Sequence, residues 1–276
     1  MQGMPLPAPA PHTTCLVTGS SSGIGAEIAR ELARRGHGVT LVARRDALLR
    51  ALADELAGAY GVRVEVLQAD LTDPDARSGL AAALADRELT VDVLVNNAGA
   101  STMGPSYRAE RSSELSMVRT DVEAVVDLCQ LFTPGMASRR RGSVLNTAST
   151  AAFQPLPGQA GYGACKAFVL SYSLALRAEL RAVGVNVTAL CPGPVHTGFG
   201  EAAGITDDEA AQALPKVMWV PVGRVAREAV DGMERDADVV IPGMANRIGA
   251  FAGRHAPARL VLSIMARNHP ALSPKR

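Results

Sequence analysis

A glycine-rich loop near the N-terminus constrains the fold of this chain more than any other feature. Residues 15–19 read CLVTG, residues 18–25 read TGSSSGIG, and a stretch of helical composition runs from about residue 24 to residue 35. Glycines between a strand and a helix let the backbone approach a pyrophosphate, whose charge meets free N–H groups and the positive helix end. The loop predicts a dinucleotide site; the alternative is a tight turn without a ligand. The residues expected at the phosphates are Gly19, Ser21, Ser22, Gly23, Ile24 and Gly25.

The alternation of apolar, β-branched runs with Ala-, Leu- and Arg-rich stretches continues to about residue 243. The seven predicted strands read CLVTG, GVTLVAR, RVEVLQAD, VDVLVNNAG, GSVLNTAS, VNVTALCPG and DVVIPG. This pattern is typical of parallel βαβ crossovers. It predicts an α/β protein with a single doubly wound Rossmann domain, a seven-stranded, mostly parallel sheet and a lid after strand six.

The predicted organisation has three parts. Residues 1–12 form a Pro- and Ala-rich disordered lead-in, residues 13–243 form the Rossmann domain with a lid at 198–220, and residues 244–276 form a basic C-terminal extension. Within the lid, Thr206 and Glu209 have the spacing of a capping box, which predicts a short helix there.

Composition excludes several classes of protein. Hydrophobic residues make up 47% of the 276 residues, which argues against disorder. The net charge of +1 and the 4% aromatic content argue against nucleic-acid binding. The four cysteines stand apart from each other and from histidines, so we expect neither zinc nor disulfides, and a reducing cytoplasm fits them. No apolar stretch reaches the roughly 18 residues of a membrane span.

The end of the second strand indicates which nicotinamide cofactor binds. An acidic residue there would hydrogen-bond the ribose hydroxyls of NAD, but this chain reads Ala43-Arg44-Arg45. A guanidinium fork can instead meet a 2′-phosphate, which favours NADP over NAD. The alternative is that Arg44 and Arg45 are a solvated pair at a helix start.

These residues and others further along the chain resemble the classical short-chain dehydrogenase/reductase family. The matching segments are TGSSSGIG at 18–25, Asp70-Leu71, NNAG at 96–99, Ser149, Tyr162-Gly-Ala-Cys-Lys166 and PGPVHT at 192–197. Within the family, the chain is most similar to NADP-preferring ketoreductases that act on apolar carbonyls.

The resemblance implies further cofactor contacts. It places Asp70 with Leu71 at the adenine, the NNAG segment along the cofactor, and the segment 192–197 around the nicotinamide carboxamide. The cofactor residues implied in this way are Asp70, Leu71, Asn97, Ala98, Gly99, Tyr162, Lys166, Pro192, Gly193, Val195 and Thr197.

Three side chains are candidates for the chemistry. Tyr162 and Lys166 are four residues apart in a helical stretch and therefore share one helix face. A nearby ammonium favours the phenolate and is expected to bring the tyrosine pKa down from about 10. Ser149 follows the fifth strand, where ligands bind in doubly wound sheets, and its hydroxyl could donate to a substrate carbonyl oxygen.

One position departs from the family pattern. An Asn on the helix after strand four helps the family to hold a water that relays protons to the lysine, and the matching residue here is Asp121. An ionised carboxylate accepts hydrogen bonds only, and its charge favours a protonated Lys166. We include Asp121 in the catalytic set; the alternative is an Asp that the site merely tolerates.

The residues around this site predict a hydrophobic carbonyl or alcohol as substrate. The pocket wall is expected to comprise Phe153, Leu156 and Gln159, with the lid residues Phe199, Ile205, Leu214, Val217, Met218 and Trp219. A lid must also pack apolar residues on the body, which is the alternative reason for this composition. The predicted function is NADP(H)-dependent interconversion of a hydrophobic ketone or aldehyde and its alcohol; the alternative is a non-catalytic NADP(H)-binding regulator or redox sensor.

The C-terminal extension has six Lys and Arg residues and no Asp or Glu, so the rest of the chain carries −5. We expect it to pack over the body or to join subunits of a homo-oligomer, a dimer or a tetramer. The alternative is peripheral contact with anionic lipid through residues 260–265.

Overall fold

The computed structural model describes residues 6–199, 215–257, 259, 261–263 and 272, and within these it contains seven β-strands. The strands are β1 Thr13–Thr18, β2 Val39–Ala43, β3 Val64–Gln68, β4 Thr90–Asn96, β5 Gly142–Thr147, β6 Val185–Leu190 and β7 Val239–Val240. Each coincides with one of the runs that the sequence predicts as a strand.

The α-helices of the described residues follow the strands in the expected alternation. They are α1 Gly23–Arg34, α2 Asp46–Tyr60, α3 Pro74–Ala85, α4 Arg111–Val118, α5 Ala124–Arg139, α6 Ala160–Leu180, α7 Val222–Glu234 and α8 Met244–His255. A π-helical turn, Arg119–Glu123, joins α4 to α5.

All seven strands are parallel, in the order β3-β2-β1-β4-β5-β6-β7. Leu16 of β1 pairs with Thr40 of β2 on one side and with Leu94 of β4 on the other. The direction of winding reverses between β1 and β4, and ligands of doubly wound sheets bind outside the carboxyl ends of the strands at such a point. The predicted Rossmann fold is confirmed.

Helices cover both faces of the sheet, because alternate residues of each strand point to opposite sides. Val17 packs with Ile28 of α1 and Met233 of α7 on one face. On the other face, Leu16 belongs to a cluster with Leu128 of α5. Burial of each such side chain stabilises the fold by about 1.5–3 kcal/mol, so the sheet is a rigid platform for the loops at its carboxyl edge.

The structure gives information on two further parts of the predicted organisation, the N-terminal lead-in and the lid. Leu6, in the segment predicted to be disordered, is buried against the first core cluster, and Arg141 donates to the Ala8 carbonyl. The predicted lid lies mostly outside the described residues, which take in its ends at 198–199 and 215–220 and leave out Thr206 and Glu209. Among the helices of the described residues, none has the length and hydropathy needed to cross a membrane.

Candidate active site

The loop between β1 and α1 is packed so closely that glycine is required in it. A Cβ on Gly25 would lie 2.5 Å from the Gly19 carbonyl oxygen, and a Cβ on Gly19 would lie 2.7 Å from the Ala98 Cα. Gly19 also has a φ of +65°, which L side chains rarely adopt. The glycines allow the backbone to turn tightly at the carboxyl end of β1, as the sequence predicts.

This turn is a cradle for an anion. Ser22 caps α1 without a side-chain hydrogen bond to the helix, and the first turn of α1 contains no acidic residue. The N–H groups and dipole of α1 are therefore directed at the space above the loop. Thr197 closes one side, since its Cβ would lie 3.0 Å from a Cβ on Gly23.

The two arginines after β2 differ in their surroundings. Arg45 donates to Ser21 Oγ at 2.8 Å and to Ser22 Oγ at 2.6 Å, so its guanidinium lies against the anion cradle. Arg44 is exposed beside Asp70. Hydrogen bonds from the Thr72 N–H and hydroxyl, and to a smaller extent the charge of Arg44, lower the pKa of Asp70.

The residues after β3 divide between surface and core. Asp70 is exposed at the carboxyl edge of the sheet, where its Oδ1 accepts hydrogen bonds from the Thr72 backbone and hydroxyl. Leu71 is buried in the second core cluster, and its carbonyl accepts from Arg77 at 2.8 Å. The Leu71 side chain therefore does not line the cleft.

A threonine that the sequence interpretation left out joins the first loop to the loop after β4. Thr18 Oγ1 accepts from the N–H of Asn97 at 2.9 Å and of Ala98 at 3.0 Å. The Asn97 side-chain amide donates in turn to the Thr18 carbonyl at 3.1 Å. The predicted residues Asn97 and Ala98 thus fix the far wall of the cradle, and Thr18, the last residue of β1, is a further site residue.

Helix α6 carries the candidate proton donor into the cleft. Tyr162 and Lys166 lie one turn apart, and the Lys166 Nζ is 5.6 Å from the centre of the Tyr162 ring. The ring of Phe199 lies 5.9 Å from the Tyr162 ring, centre to centre. Tyr162 and Lys166 therefore lie close together on one face of α6.

Ser149 lies two residues beyond the end of β5. Its Oγ accepts from the Ala151 N–H at 3.1 Å and lies 3.5 Å from the Pro192 carbonyl oxygen. The Ser149 hydroxyl also acts on Tyr162, where it lowers the pKa of the phenol. The structure therefore brings together the predicted residues Ser149, Tyr162 and Lys166.

The pKa of Tyr162 is raised, whereas the sequence predicts that it is lowered. Burial is the largest effect and raises the pKa, the Lys166 ammonium and Ser149 lower it, and the pKa as a whole is raised. The carboxylate of Asp121 adds to the rise. The Lys166 ammonium acts in the expected direction, but the expected net decrease in the pKa of Tyr162 is wrong, because desolvation penalises the phenolate.

Asp121 forms a buried ion pair with Lys166. The two side chains are almost completely buried, and Lys166 Nζ lies 2.9 Å from Asp121 Oδ2. Lys166 also donates to the Thr147 carbonyl at 3.1 Å, and Asp121 Oδ1 accepts from the Ala100 N–H at 2.7 Å. Burial is the largest single effect and lowers the pKa of Lys166, but the charge and hydrogen bond of Asp121, together with the charge of Tyr162, outweigh it and raise the pKa, so the ammonium form is favoured.

The loop that follows β6 is supported by the C-terminal helix. Asn246 of α8 is completely buried and donates to the carbonyls of Met218 and Pro242, both at 2.9 Å. A Cβ on Gly193 would collide with the Asn246 side chain. Sequence reasoning missed Asn246, because residues 244–276 read as an extension; an Asn close after the last strand is a weak signal.

The substrate side of the cleft is partly described. Leu156, in the predicted wall, is half-buried and packs against Gly163, while Gln159 donates to Ser101 Oγ at 2.8 Å. Trp219 stacks on His196 at 4.1 Å between ring centres, and Val217 is exposed. Phe153 and Met218 are both half-buried, whereas Ile205 and Leu214 lie outside the described residues.

The residues at this edge fit NADP(H). The glycine cradle and α1 N-terminus suit a pyrophosphate, Arg44 and Arg45 suit a 2′-phosphate, and the cleft before Tyr162 suits a nicotinamide. Asp70 and the segment 192–197, including Val195, which packs against the first core cluster, complete the rim. The described residues contain no cluster of three or more metal-ligating side chains.

Comparison with protein families and sequences gives consistent matches. The family model described as short chain dehydrogenase matches residues 13–208. The NADP-dependent 3-hydroxy acid dehydrogenase of Salmonella typhi is 38% identical over 198 residues, which cover 71% of this chain and 78% of that protein.

Solved structures extend the likeness to nearly the whole chain. A short-chain dehydrogenase from Sphingobium yanoikuyae in complex with NADPH has a TM-score of 0.78 and 35% identity, covering 91% of this chain and 95% of that chain. The bulky-bulky ketone specific alcohol dehydrogenase from Comamonas testosteroni has a TM-score of 0.73 and 30% identity, covering 97% of this chain and 96% of that chain.

Proposed function

The chain belongs to the short-chain dehydrogenase family, and from this premise we propose that it interconverts a hydrophobic ketone or aldehyde and its alcohol through Ser149, Tyr162 and Lys166. The protein is an NADP-dependent oxidoreductase that acts on CH–OH groups. The observation that carries the proposal is the convergence of the three side chains at the carboxyl edge of the sheet, next to the anion cradle.

Cofactor binding is proposed to use the loops after the first four strands and after β6. The phosphate contacts are assigned to Gly19, Ser21, Ser22, Gly23, Ile24 and Gly25, and the 2′-phosphate to Arg44 with Arg45. Asp70 is assigned to the adenine, and the segments 97–99 and 192–197 to the ribose and nicotinamide side. Leu71 contributes through its backbone, because its side chain is in the core.

The mechanism follows from the surroundings of Tyr162. When bound, NADPH supplies a hydride from its C4 atom to the carbonyl carbon. The Tyr162 hydroxyl donates its proton to the carbonyl oxygen, so that the carbonyl becomes an alcohol and the tyrosine is left as phenolate. Ser149 donates a hydrogen bond to the same oxygen as its charge develops, and Lys166 stabilises the phenolate. The reverse sequence oxidises a secondary alcohol.

The proposed substrate is apolar around its carbonyl group. Leu156 and Phe199 line the approach to Tyr162, and Gln159 is the polar side chain nearest to them in the predicted wall. Pockets of this kind bind hydrophobic ligands with few polar anchors. The likeness to the bulky-bulky ketone specific alcohol dehydrogenase from Comamonas testosteroni supports the same class.

The proposed working form is a cytoplasmic homo-oligomer, a dimer or a tetramer, that binds no nucleic acid. Met244, Ile248 and Phe251 form an exposed apolar stripe on α8, which a second subunit could cover. We favour this over peripheral membrane contact, because α8 already packs on the catalytic domain, proposed as residues 13–243, through its other face.

The competing function is a regulator that binds NADP(H) without turnover. The Asp121–Lys166 ion pair favours this alternative, since it engages the lysine that stabilises the phenolate. The complete set of Ser149, Tyr162 and Lys166 argues against it.

Consumption of NADPH in the presence of a panel of ketones and aldehydes separates the two functions. We expect turnover that is fastest with ketones carrying two large apolar substituents and slow with small or charged carbonyls. NADH should support a lower rate at the same concentration. Tight NADPH binding with no consumption on any carbonyl, and no NADP⁺ reduction by the matching alcohols, would identify the regulator instead.

A further inference from the structure

Asp121 occupies an unusual place in the backbone. It lies in the π-helical turn Arg119–Glu123, and π turns inside helices are rare and occur frequently at functional sites. The turn directs its carboxylate inward, where it is completely buried between the Ala100 N–H and Lys166 Nζ. A Cβ on Gly99 would lie 3.4 Å from both carboxylate oxygens, so the backbone after β4 approaches this pair closely.

The carboxylate changes the charge next to Tyr162. With a neutral side chain at residue 121, the Lys166 ammonium would leave a net charge of +1 beside the phenol. With Asp121 in place, the pair is neutral overall and favours the phenolate much less. Because the pair is buried in surroundings of low polarity, the attraction of the phenolate to Lys166 and its repulsion by Asp121 are both stronger than they would be in water.

Other titratable groups near the pair do not offset Asp121 at neutral pH. Burial raises the pKa of Cys165 on α6 to about 11 and that of Cys191 after β6 to about 12, so both thiols are neutral. Glu114 on α4 is engaged by the Thr102 hydroxyl. Among the described residues, Asp121 is the carboxylate within ion-pair distance of Lys166.

Resting on the proposed function, we propose that Asp121 is a positioning residue that holds Tyr162 as the neutral phenol and thereby moves the pH range in which the site oxidises alcohols to higher pH. The phenol is the form that donates a proton to a carbonyl oxygen, whereas oxidation requires the phenolate to accept one. The equilibrium constant at a given pH fixes the ratio of kcat/KM for the two directions, so Asp121 shifts the pH dependence of turnover and leaves that ratio unchanged.

The first test is a spectroscopic pH titration of the cofactor-free protein. The phenolate absorbance of Tyr162 is obtained by subtracting the titration of Tyr162→Phe from that of the parent protein. We expect a midpoint above the value of about 10 for a free tyrosine. In Asp121→Asn the midpoint should fall by about one pH unit or more, because loss of the anion leaves the Lys166 charge uncompensated.

Glu123→Gln is the matched control. It removes one negative charge from the same π turn, but the Glu123 side chain is half-exposed and pairs with Arg77 rather than with Lys166. We expect no shift of the Tyr162 midpoint in this variant. Asn at residue 121 can still accept from the Ala100 N–H, so the fold of the turn should be retained.

The second test measures the pH profile of alcohol oxidation. In Asp121→Asn, this profile should move to lower pH by the same shift as the titration, while KM for the alcohol stays constant. An unshifted Tyr162 midpoint in Asp121→Asn overturns the inference. If Asp121→Asn does not fold, the parent protein still provides a test, because a Tyr162 midpoint below that of free tyrosine also overturns the inference. A shifted midpoint in a protein without carbonyl turnover would instead reject the proposed function.

Discussion

Arg44 and Arg45 are adjacent in the sequence but are expected to contribute differently to cofactor choice. Arg45 is already held by Ser21 and Ser22, so its guanidinium is preorganised at the anion cradle. Arg44 is exposed near Asp70 and free to turn toward a 2′-phosphate. Such a contact is a charge-assisted hydrogen bond that NADH lacks.

We therefore predict that Arg44→Ala weakens NADPH binding by about 1.5–3 kcal/mol, the range for a hydrogen bond to a charged group. NADH binding should barely change. Fluorescence titration with both cofactors measures this, with Arg50→Ala as control, because Arg50 is an exposed arginine of α2 that pairs with Asp46. Equal losses for the two cofactors, or equal affinities in the parent protein, would mean that Arg44 does not read the 2′-phosphate.

At the scale of elements, α8 packs against loops that border the active site and stabilises them. Asn246 satisfies the Met218 and Pro242 carbonyls and lies against Gly193. Gly253 faces Gln154, beyond the short helical turn that follows Ser149. One face of α8 therefore contacts two loops that border the site.

We predict that a chain ending after Gly243 is less stable than one ending after His255. The shorter chain loses the two hydrogen bonds of Asn246, worth about 2 kcal/mol together, which corresponds to a fall in Tm of about 4–8 °C. It should also bind NADPH more weakly, since the loop at 192–197 loses its support.

Thermal unfolding, NADPH titration and light scattering of both truncated proteins check this prediction. The chain ending after His255 is the matched control, because it keeps α8 and loses only the residues beyond it. Equal Tm and equal NADPH affinity in the two proteins would show that α8 is dispensable for the site. A change in oligomeric state on removal of α8 would support subunit contact through its apolar stripe.

At the scale of the whole molecule, the fold follows from local patterns. Each strand is a short apolar run, and the glycine loop fixes where the first crossover begins, so the order of elements and the site at the carboxyl edge were predictable. The helix carrying Tyr162 and Lys166 was predictable for the same reason, since four-residue spacing defines one face.

Other features of the site depend on packing between distant segments. The roles of Thr18 and Asn246 arise from contacts with loops about 80 and 50 residues away in the sequence, as seen at Ala98 and Gly193, and no local pattern marks them. The raised pKa of Tyr162 likewise reflects burial, which spacing does not report. The π turn at Asp121 is a backbone irregularity without a sequence signature.

The central claim is that Tyr162 donates the proton to a carbonyl during reduction by NADPH. The most direct measurement compares NADPH binding and single-turnover reduction of an apolar ketone in the parent protein and in Tyr162→Phe. Tyr172→Phe serves as control, because Tyr172 lies on the same helix but stacks on Phe168. We predict unchanged NADPH affinity in all three proteins and a rate lower by about 10²–10⁴ in Tyr162→Phe alone, the usual contribution of a general acid. Reduction by Tyr162→Phe at the parent rate would contradict the account.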